Sequence, residues 1–275
     1  MKTPGHAVRE LLAFYAEVGV DATIGEAPID RLSLTQISTP VADLEPAPES
    51  APDTQPRAAP VVARSSPDGV APPEAAVMAA RESARRAASL EELRAMLTGF
   101  EGCALRTTAK QLVFADGNPQ ARVMFVGEAP GREEDLEGLP FVGRSGKLLD
   151  RMMTAIGLNR TTAYIANIIP WRPPGNRTPT PQESQICLPF TLRQIELANP
   201  DILVCLGGPS AQTLLGVREG IKRTRGKWFA FHTGTREVRA IATFHPAYLL
   251  RSPLEKRLAW RDFLAVKKAL QENAG

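Results

Sequence analysis

Hydrophobic and polar positions change rhythm along this chain, and the change divides it in two. From about residue 89 onward, short and nearly unbroken apolar runs alternate with stretches in which apolar residues recur every three or four positions. The runs lie at residues 123–126, 162–167, 201–207 and 238–244. Runs of this kind read as strands buried on both faces of a parallel sheet. Between them stand helix start and stop signals. Ser89 with Glu92, and Thr180 with Glu183, have capping-box spacing, and Pro181 follows Thr180 at the first helical position. Asn199-Pro200 ends the second of these helices. Ser145 caps a helix through Ile156 that Gly157 stops, Pro209 to Leu215 is a short one, and Ser252, Pro253 and Glu255 open a last helix to about Leu270. Residues 111–116 and the turn Gly117-Asn-Pro119 give a short edge strand. Strands alternating with helices predict an α/β fold of three layers, α/β/α, around a central four-stranded parallel sheet.

The first third of the chain lacks this rhythm. Within residues 1–24, Leu11, Leu12, Tyr15 and Val18 fall on one stripe and predict a short helix that docks on the body or binds a partner protein. Residues 25–87 are rich in Ala, Pro, Ser and charge, cannot bury enough surface to offset their ordering entropy, and read as a disordered linker. Residues 88–275 are then the folded domain.

Charge follows the same division. Residues 1–95 hold 9 Lys/Arg and 14 Asp/Glu, a net of −5, whereas residues 96–275 hold 24 and 16, a net of +8. A basic body points to a polyanionic partner such as nucleic acid, although a merely basic domain has the same charge. No apolar run is long enough to span a membrane, and Glu10, Glu17 and Asp21 interrupt the N-terminal apolar residues as no signal peptide would. Three cysteines do not make a disulfide framework, so a reducing cytoplasm is expected.

The predicted strands end on Glu128, Asn167, Gly207 and His245, which a parallel sheet gathers at one rim. Gly127-Glu-Ala-Pro-Gly131 forms the turn after the first strand, and Phe141 follows. An aromatic face, an amide and an imidazole suit a planar polar heterocycle. The ring stacks, the amide offers an acceptor beside paired donors, and the histidine donates to a carbonyl gaining negative charge. Each has a plainer reading: Phe141 as core packing, Asn167 as a turn cap, His245 as a structural histidine. Lys222, Arg223, Arg225 and Lys227 form a basic segment that reads as phosphate contacts or as a solvated hairpin.

Taken together, Gly127-Glu-Ala-Pro-Gly131, Glu134-Asp135, Pro140-Phe-Val-Gly143, Asn167, Arg172-Pro-Pro-Gly-Asn-Arg177 and His245-Pro-Ala-Tyr-Leu-Leu250 resemble the uracil-DNA glycosylase superfamily, most closely family 4. The resemblance spans about residues 89–270. It implies a monofunctional, monomeric hydrolase that flips uracil out of DNA and cleaves its N-glycosidic bond. By matched position, Glu128, Asn167 and His245 would be catalytic, and Gly127, Ala129, Phe141 and Asn167 would bind uracil. Arg172, Asn176, Lys222, Arg223, Arg225, Lys227 and Arg251 would contact DNA, with Leu249 or a neighbour wedged into the duplex. Two departures stand out. Ala129 occupies a position where a sister branch has an aspartate, leaving Glu128, Glu134 and Asp135 as carboxylate candidates for water. Family 4 members also resemble one another in four cysteines holding a [4Fe–4S] cluster, and here Phe100 and Trp171 stand at two of those positions, with only Cys103 and Cys187 retained. No metal or other cofactor is therefore expected, and the two aromatics should plug the space. The losses also admit a DNA-binding or damage-sensing protein on the same scaffold with altered catalysis.

Overall fold

The computed structural model describes residues 73–272; the predicted N-terminal helix, and the linker up to residue 72, lie outside the described residues. The elements are α1 (Pro73–Arg86), α2 (Leu90–Gly99), α3 (Leu105–Thr108), β1 (Asp116–Gly117), β2 (Val123–Gly127), α4 (Arg132–Glu137), α5 (Arg144–Ala155) and β3 (Tyr164–Asn167). Then come α6 (Pro181–Ala198), β4 (Ile202–Leu206), α7 (Gly208–Leu215), α8 (Ile221–Thr224), β5 (Trp228–His232), β6 (Glu237–Thr243), α9 (Pro246–Arg251) and α10 (Lys256–Glu272).

The sheet runs β1-β3-β2-β4-β6-β5. Its central strands β3, β2, β4 and β6 are parallel, as expected, while β1 and β5 add antiparallel edges. The period-2 alternation sorts each strand onto two cores. Met124, Val126, Leu203, Cys205, Ala240 and Ala242 face α1, α2, α6 and α7. Val123, Phe125, Ile202, Val204 and Ile241 face α5 and α10. Both faces are covered, which is why the strands tolerate no polar break.

The edges depart from expectation. The first edge strand is only Asp116–Gly117, later than predicted, and β5 arises inside the segment read as a basic loop. The last part of the expected linker is ordered: α1 buries Ala76, Ala80 and Ala84 within the first core, with Ala87 just beyond its end, and packs on α6. Alanines at i, i+4 and i+8 make a helical stripe that lets two helix backbones approach closely, yet compositionally they look like linker. Arg193 donates from Nε (3.0 Å) and Nη2 (2.7 Å) to the Ala87 carbonyl just beyond α1.

Caps follow the sequence closely at α6, where Thr180 and Glu183 form the capping box, and at α2, where Ser89 accepts from the Glu92 amide at 3.2 Å. Ser145 lies inside α5 rather than capping it; Gly143 is the N-cap. Ser252 opens the last helix through a 3-10 turn, Pro253–Glu255, in which its carbonyl and not its hydroxyl accepts.

Candidate functional site

The chain passes from β2 outward to β3 and then back across to β4, so the connections diverge between β2 and β4. Such a switch point opens a crevice beyond the carboxyl ends of the strands. Here it is a cavity of about 660 Å³ lined by the turn after β2 (residues 128–131), Phe141, Asn167, the 206–209 turn after β4, and Phe244, His245, Tyr248 and Arg251 beyond β6. It also takes in Asn176 and Arg177 from the Pro-rich loop after β3. The strand-end convergence predicted for Glu128, Asn167, Gly207 and His245 is therefore present.

Phe141 and Asn167 are each only 4% exposed. Phe141 adopts φ 55°, a left-handed conformation unusual for a bulky residue, and its ring centroid lies 5.5 Å from that of His245. Asn167 is the last residue of β3, paired with Gly127 across the sheet. Its Oδ1 is the one buried side-chain oxygen or nitrogen among the described residues without a hydrogen-bond partner. An unmet buried acceptor is costly, and on a residue that lines a cavity it marks a place for a ligand to supply the donor.

Gly127 is behind this wall, not in the lining. A Cβ there would lie 2.4 Å from Asn167 Oδ1 and 2.6 Å from Phe141 Cζ. The expected contact of Gly127 with the base is thus corrected: its missing side chain lets the amide and the aromatic ring close over it. The carbonyls of Gly127 and Glu128 are taken by the amides of Ile168 and Ile169, both at 3.0 Å.

His245 is the N-cap of α9, and its Nδ1 accepts from the Ala247 amide at 3.1 Å. With the Nδ1 lone pair committed there, the proton of the neutral ring sits on Nε2. Burial, with the Arg251 charge adding to it, lowers its pKa to about 4, so the ring is neutral at physiological pH.

The carboxylates separate by role. Glu134 accepts from the Gly131 and Gly143 amides, both at 3.0 Å, tying the turn after β2 to the Phe141 loop. Asp135 accepts from Lys110 N at 2.7 Å and lies 3.8 Å from Arg172 Nη1. Both are therefore committed to holding backbone in place, Glu134 while also lining the cavity. Glu128 lines the cavity, is half-buried, and has its pKa raised by burial alone. Ala129 lines the cavity beside it.

The expected DNA contacts divide as well. Arg251 reaches the cavity mouth, and Asn176, with φ 57°, lines it. Arg172 is engaged inward, donating from Nε to Asn176 Oδ1 at 2.7 Å, so it braces that loop. Lys222 and Arg223 are exposed on α8, Lys222 Nζ lying 3.7 Å from Glu255, and Lys227 lies 3.3 Å from Glu219. Arg225 is a correction. It ion-pairs with Asp262, which is 1% exposed, and donates to the Leu258 carbonyl at 2.9 Å. Its guanidinium pins the loop to α10 and is not available to phosphate. Of the expected wedge, Leu249 or a neighbour, Leu249 itself is 0% exposed and packed with Phe244 and Ala259. The α9 turn presents Leu250 instead, 37% exposed. Sequence reading also missed Tyr248 and Arg177 in the lining; neither follows a strand run directly, and only the closure of the rim brings them in.

Away from the cavity, Cys103 and Cys187 lie with their Sγ atoms 3.9 Å apart, both buried. Phe100 and Trp171 are buried in the same cluster, with Phe100 edge-on to Phe190 at 5.0 Å.

A model of the Uracil DNA glycosylase superfamily matches residues 114–264, more than half of the chain. The chain belongs to that superfamily. Similar curated proteins are type-4 uracil-DNA glycosylases. That of Archaeoglobus fulgidus is 41% identical over 179 residues, covering 64% of this chain and 90% of the relative. That of Thermotoga maritima is 43% identical over 151 residues, covering 54% and 77%. That of Saccharolobus solfataricus is 40% identical over 173 residues, covering 61% and 80%. For a uracil-DNA glycosylase superfamily member, the match takes in the whole rim of the cavity from β2 to α9 and excludes α1 and α2.

Proposed function

We propose that this protein removes uracil from DNA by hydrolysing its N-glycosidic bond, using its own side chains and no iron–sulfur cluster. The carrying observation is Asn167 Oδ1, an orphan acceptor on a residue that lines the cavity together with the Phe141 ring and a neutral His245. Uracil has a stacking face, an N3–H to donate to Oδ1, a 4-carbonyl to accept from Nδ2, and a 2-carbonyl that gains charge as the base departs. The base must leave the stack to reach this cavity. Leu250, exposed beside Arg251 on α9, is placed to fill the gap it leaves. Lys222 and Arg223 supply sequence-blind phosphate contacts.

In the chemical step the C1′–N1 bond breaks, with its electron pair passing to the uracil ring. His245 Nε2–H donates to the 2-carbonyl oxygen as it becomes negative. Fixed donors aimed at developing charge act strongly in a site where water is excluded. Water then adds to C1′, and the proton it loses passes through solvent to the departed uracil anion, which leaves neutral uracil and an abasic sugar. Glu128 is the cavity carboxylate free to orient that water, since Glu134 is tied on both oxygens.

Incubation with a uracil-containing oligonucleotide, then alkali, should cleave the strand at uracil. Absence of cleavage on both single- and double-stranded substrates would instead support a DNA-binding protein with lost catalysis.

The side chains do not fit a [4Fe–4S] cluster. Such a cluster takes four ligands, and this region offers two thiols, with Phe100 and Trp171 buried in the same cluster. The aromatics tie α2, the loop after β3 and α6 together by apolar burial instead. Protein purified without oxygen should be colourless and contain no stoichiometric iron. Stoichiometric iron and sulfide, with visible charge-transfer absorption, would overturn this reading.

A further inference from the structure

We infer that Arg160 is a positioning residue for base stacking, holding Phe141 in the left-handed conformation that turns its ring into the cavity. The inference rests on the reading of Phe141 as the stacking face.

A non-glycine residue in the left-handed region is disfavoured by the clash of its Cβ with the backbone, so something must hold Phe141 at φ 55°. The backbone of α5 closes on one side: a Cβ on Gly146 would lie 1.6 Å from the Phe141 carbonyl oxygen. On the other side stands Arg160, in the turn between α5 and β3 and outside the cavity lining. Its guanidinium uses all five of its N–H donors. Nε and Nη2 reach the two oxygens of Asp150 at 2.9 and 3.5 Å. Nη1 reaches Asp116 at 2.5 Å and the Pro140 carbonyl at 3.1 Å, and the remaining Nη2 donor goes to the Phe141 carbonyl.

This division of labour is specific. Asp116 on β1 and Asp150 on α5 fix the plane of the fork, and the fork then holds the carbonyls of two successive residues, the second being the strained one. Lysine, with three donors on one point, cannot reproduce a planar fork to four acceptor groups. Among the described residues, no other side chain donates to both carbonyls at the base of the stacking ring. A carbonyl released from Arg160 frees the 140–141 peptide to relax toward φ below zero, and the ring swings away from Asn167 and His245.

A double-mutant cycle tests this through Phe141 itself. Single-turnover excision is measured on a uracil-containing single-stranded oligonucleotide for the wild type, Arg160→Ala, Phe141→Ala and the double variant. Arg160→Ala should slow the wild type by about 10–100-fold, as misplacement of a substrate-positioning group does. In the Phe141→Ala background it should change the rate by no more than about twofold, because the two residues act as one unit. Arg160→Lys should fall between, and it carries the same cycle if the alanine variant fails to fold by circular dichroism. Equal slowing in both backgrounds would show that Arg160 merely stabilises the domain, and would overturn the inference. So would a wild-type background loss under twofold, or a Phe141→Ala variant of full activity. A wild type that cleaves no uracil-DNA fails before any variant is compared; that sinks the base-excision reading and this inference with it.

Discussion

His245→Ala is expected to excise uracil about 10²–10³-fold more slowly, the cost of removing one donor aimed at developing negative charge. The direction follows from which nitrogen is free. Nδ1 is spent on the Ala247 amide, so Nε2 carries the proton of a ring that lines the cavity, and no change of tautomer is needed during reaction. The same ring caps α9, and its loss as a cap alone costs about 1 kcal/mol of stability. His245→Asn separates the two roles. Asparagine is a good N-cap, so its melting temperature should return toward the wild type, but its shorter side chain withdraws the donor and the rate should stay low. Recovery of rate together with stability would show that the histidine serves only the helix. Titration gives an independent check. The folded ring has its pKa lowered to about 4 from an ordinary 6.5, so between those values the unfolded chain binds a proton that the folded protein refuses. Unfolding free energy should therefore rise with pH across that window and lose this increment as pH falls through it. The difference between wild type and His245→Ala in denaturant titrations should carry that slope. A difference independent of pH would mean that the ring is not held neutral.

The four parallel strands were legible because they are buried on both faces, and burial of that kind leaves unbroken apolar runs. Their ends located Asn167 and His245, since topology alone brings strand ends to one rim. Legibility failed where a role depends on which way a side chain turns. Leu249 and Leu250 are adjacent and chemically identical, and only the packing of α9 against Phe244 decides that the first is core and the second exposed. Arg225 looked like its neighbours in a basic segment until Asp262, 37 positions away, claimed it. Arg160 carried no signal at all: its partners come from β1, α5 and the 140–141 peptide, which are separated in sequence and meet only in the fold. The alanine stripe of α1 failed for another reason. Its burial is real, but small side chains give no hydrophobic contrast, so composition outweighed period.

Asn167→Asp is expected to lower uracil excision at pH 7 by about 10²–10⁴-fold, at least as far as Asn167→Ala. The substitution keeps shape and acceptor but removes both donors, and it sets a carboxylate against the 4-carbonyl of the base in a position 4% exposed. Alanine loses the same hydrogen bonds without burying a charge, which is why the nearly isosteric change should be no better. The pocket gives that charge little escape. Gly127 brings the sheet backbone within Cβ distance of Oδ1, and the Phe141 ring closes the other side. Burial must therefore raise the pKa of the new carboxyl. A protonated carboxyl presents one O–H donor and one carbonyl acceptor, which is the pattern of the amide it replaced. The rate of Asn167→Asp should consequently climb as pH falls toward that raised pKa, while the wild type, reading uracil with an amide that does not titrate, shows no such rise. Single-turnover excision at a series of pH values for both proteins makes the comparison. A variant that stays slow at every pH would show that Asn167 shapes the pocket without reading the base. A variant as fast as the wild type at every pH, alkaline values included, would remove Asn167 from recognition altogether, because no ionised carboxylate can donate to a carbonyl.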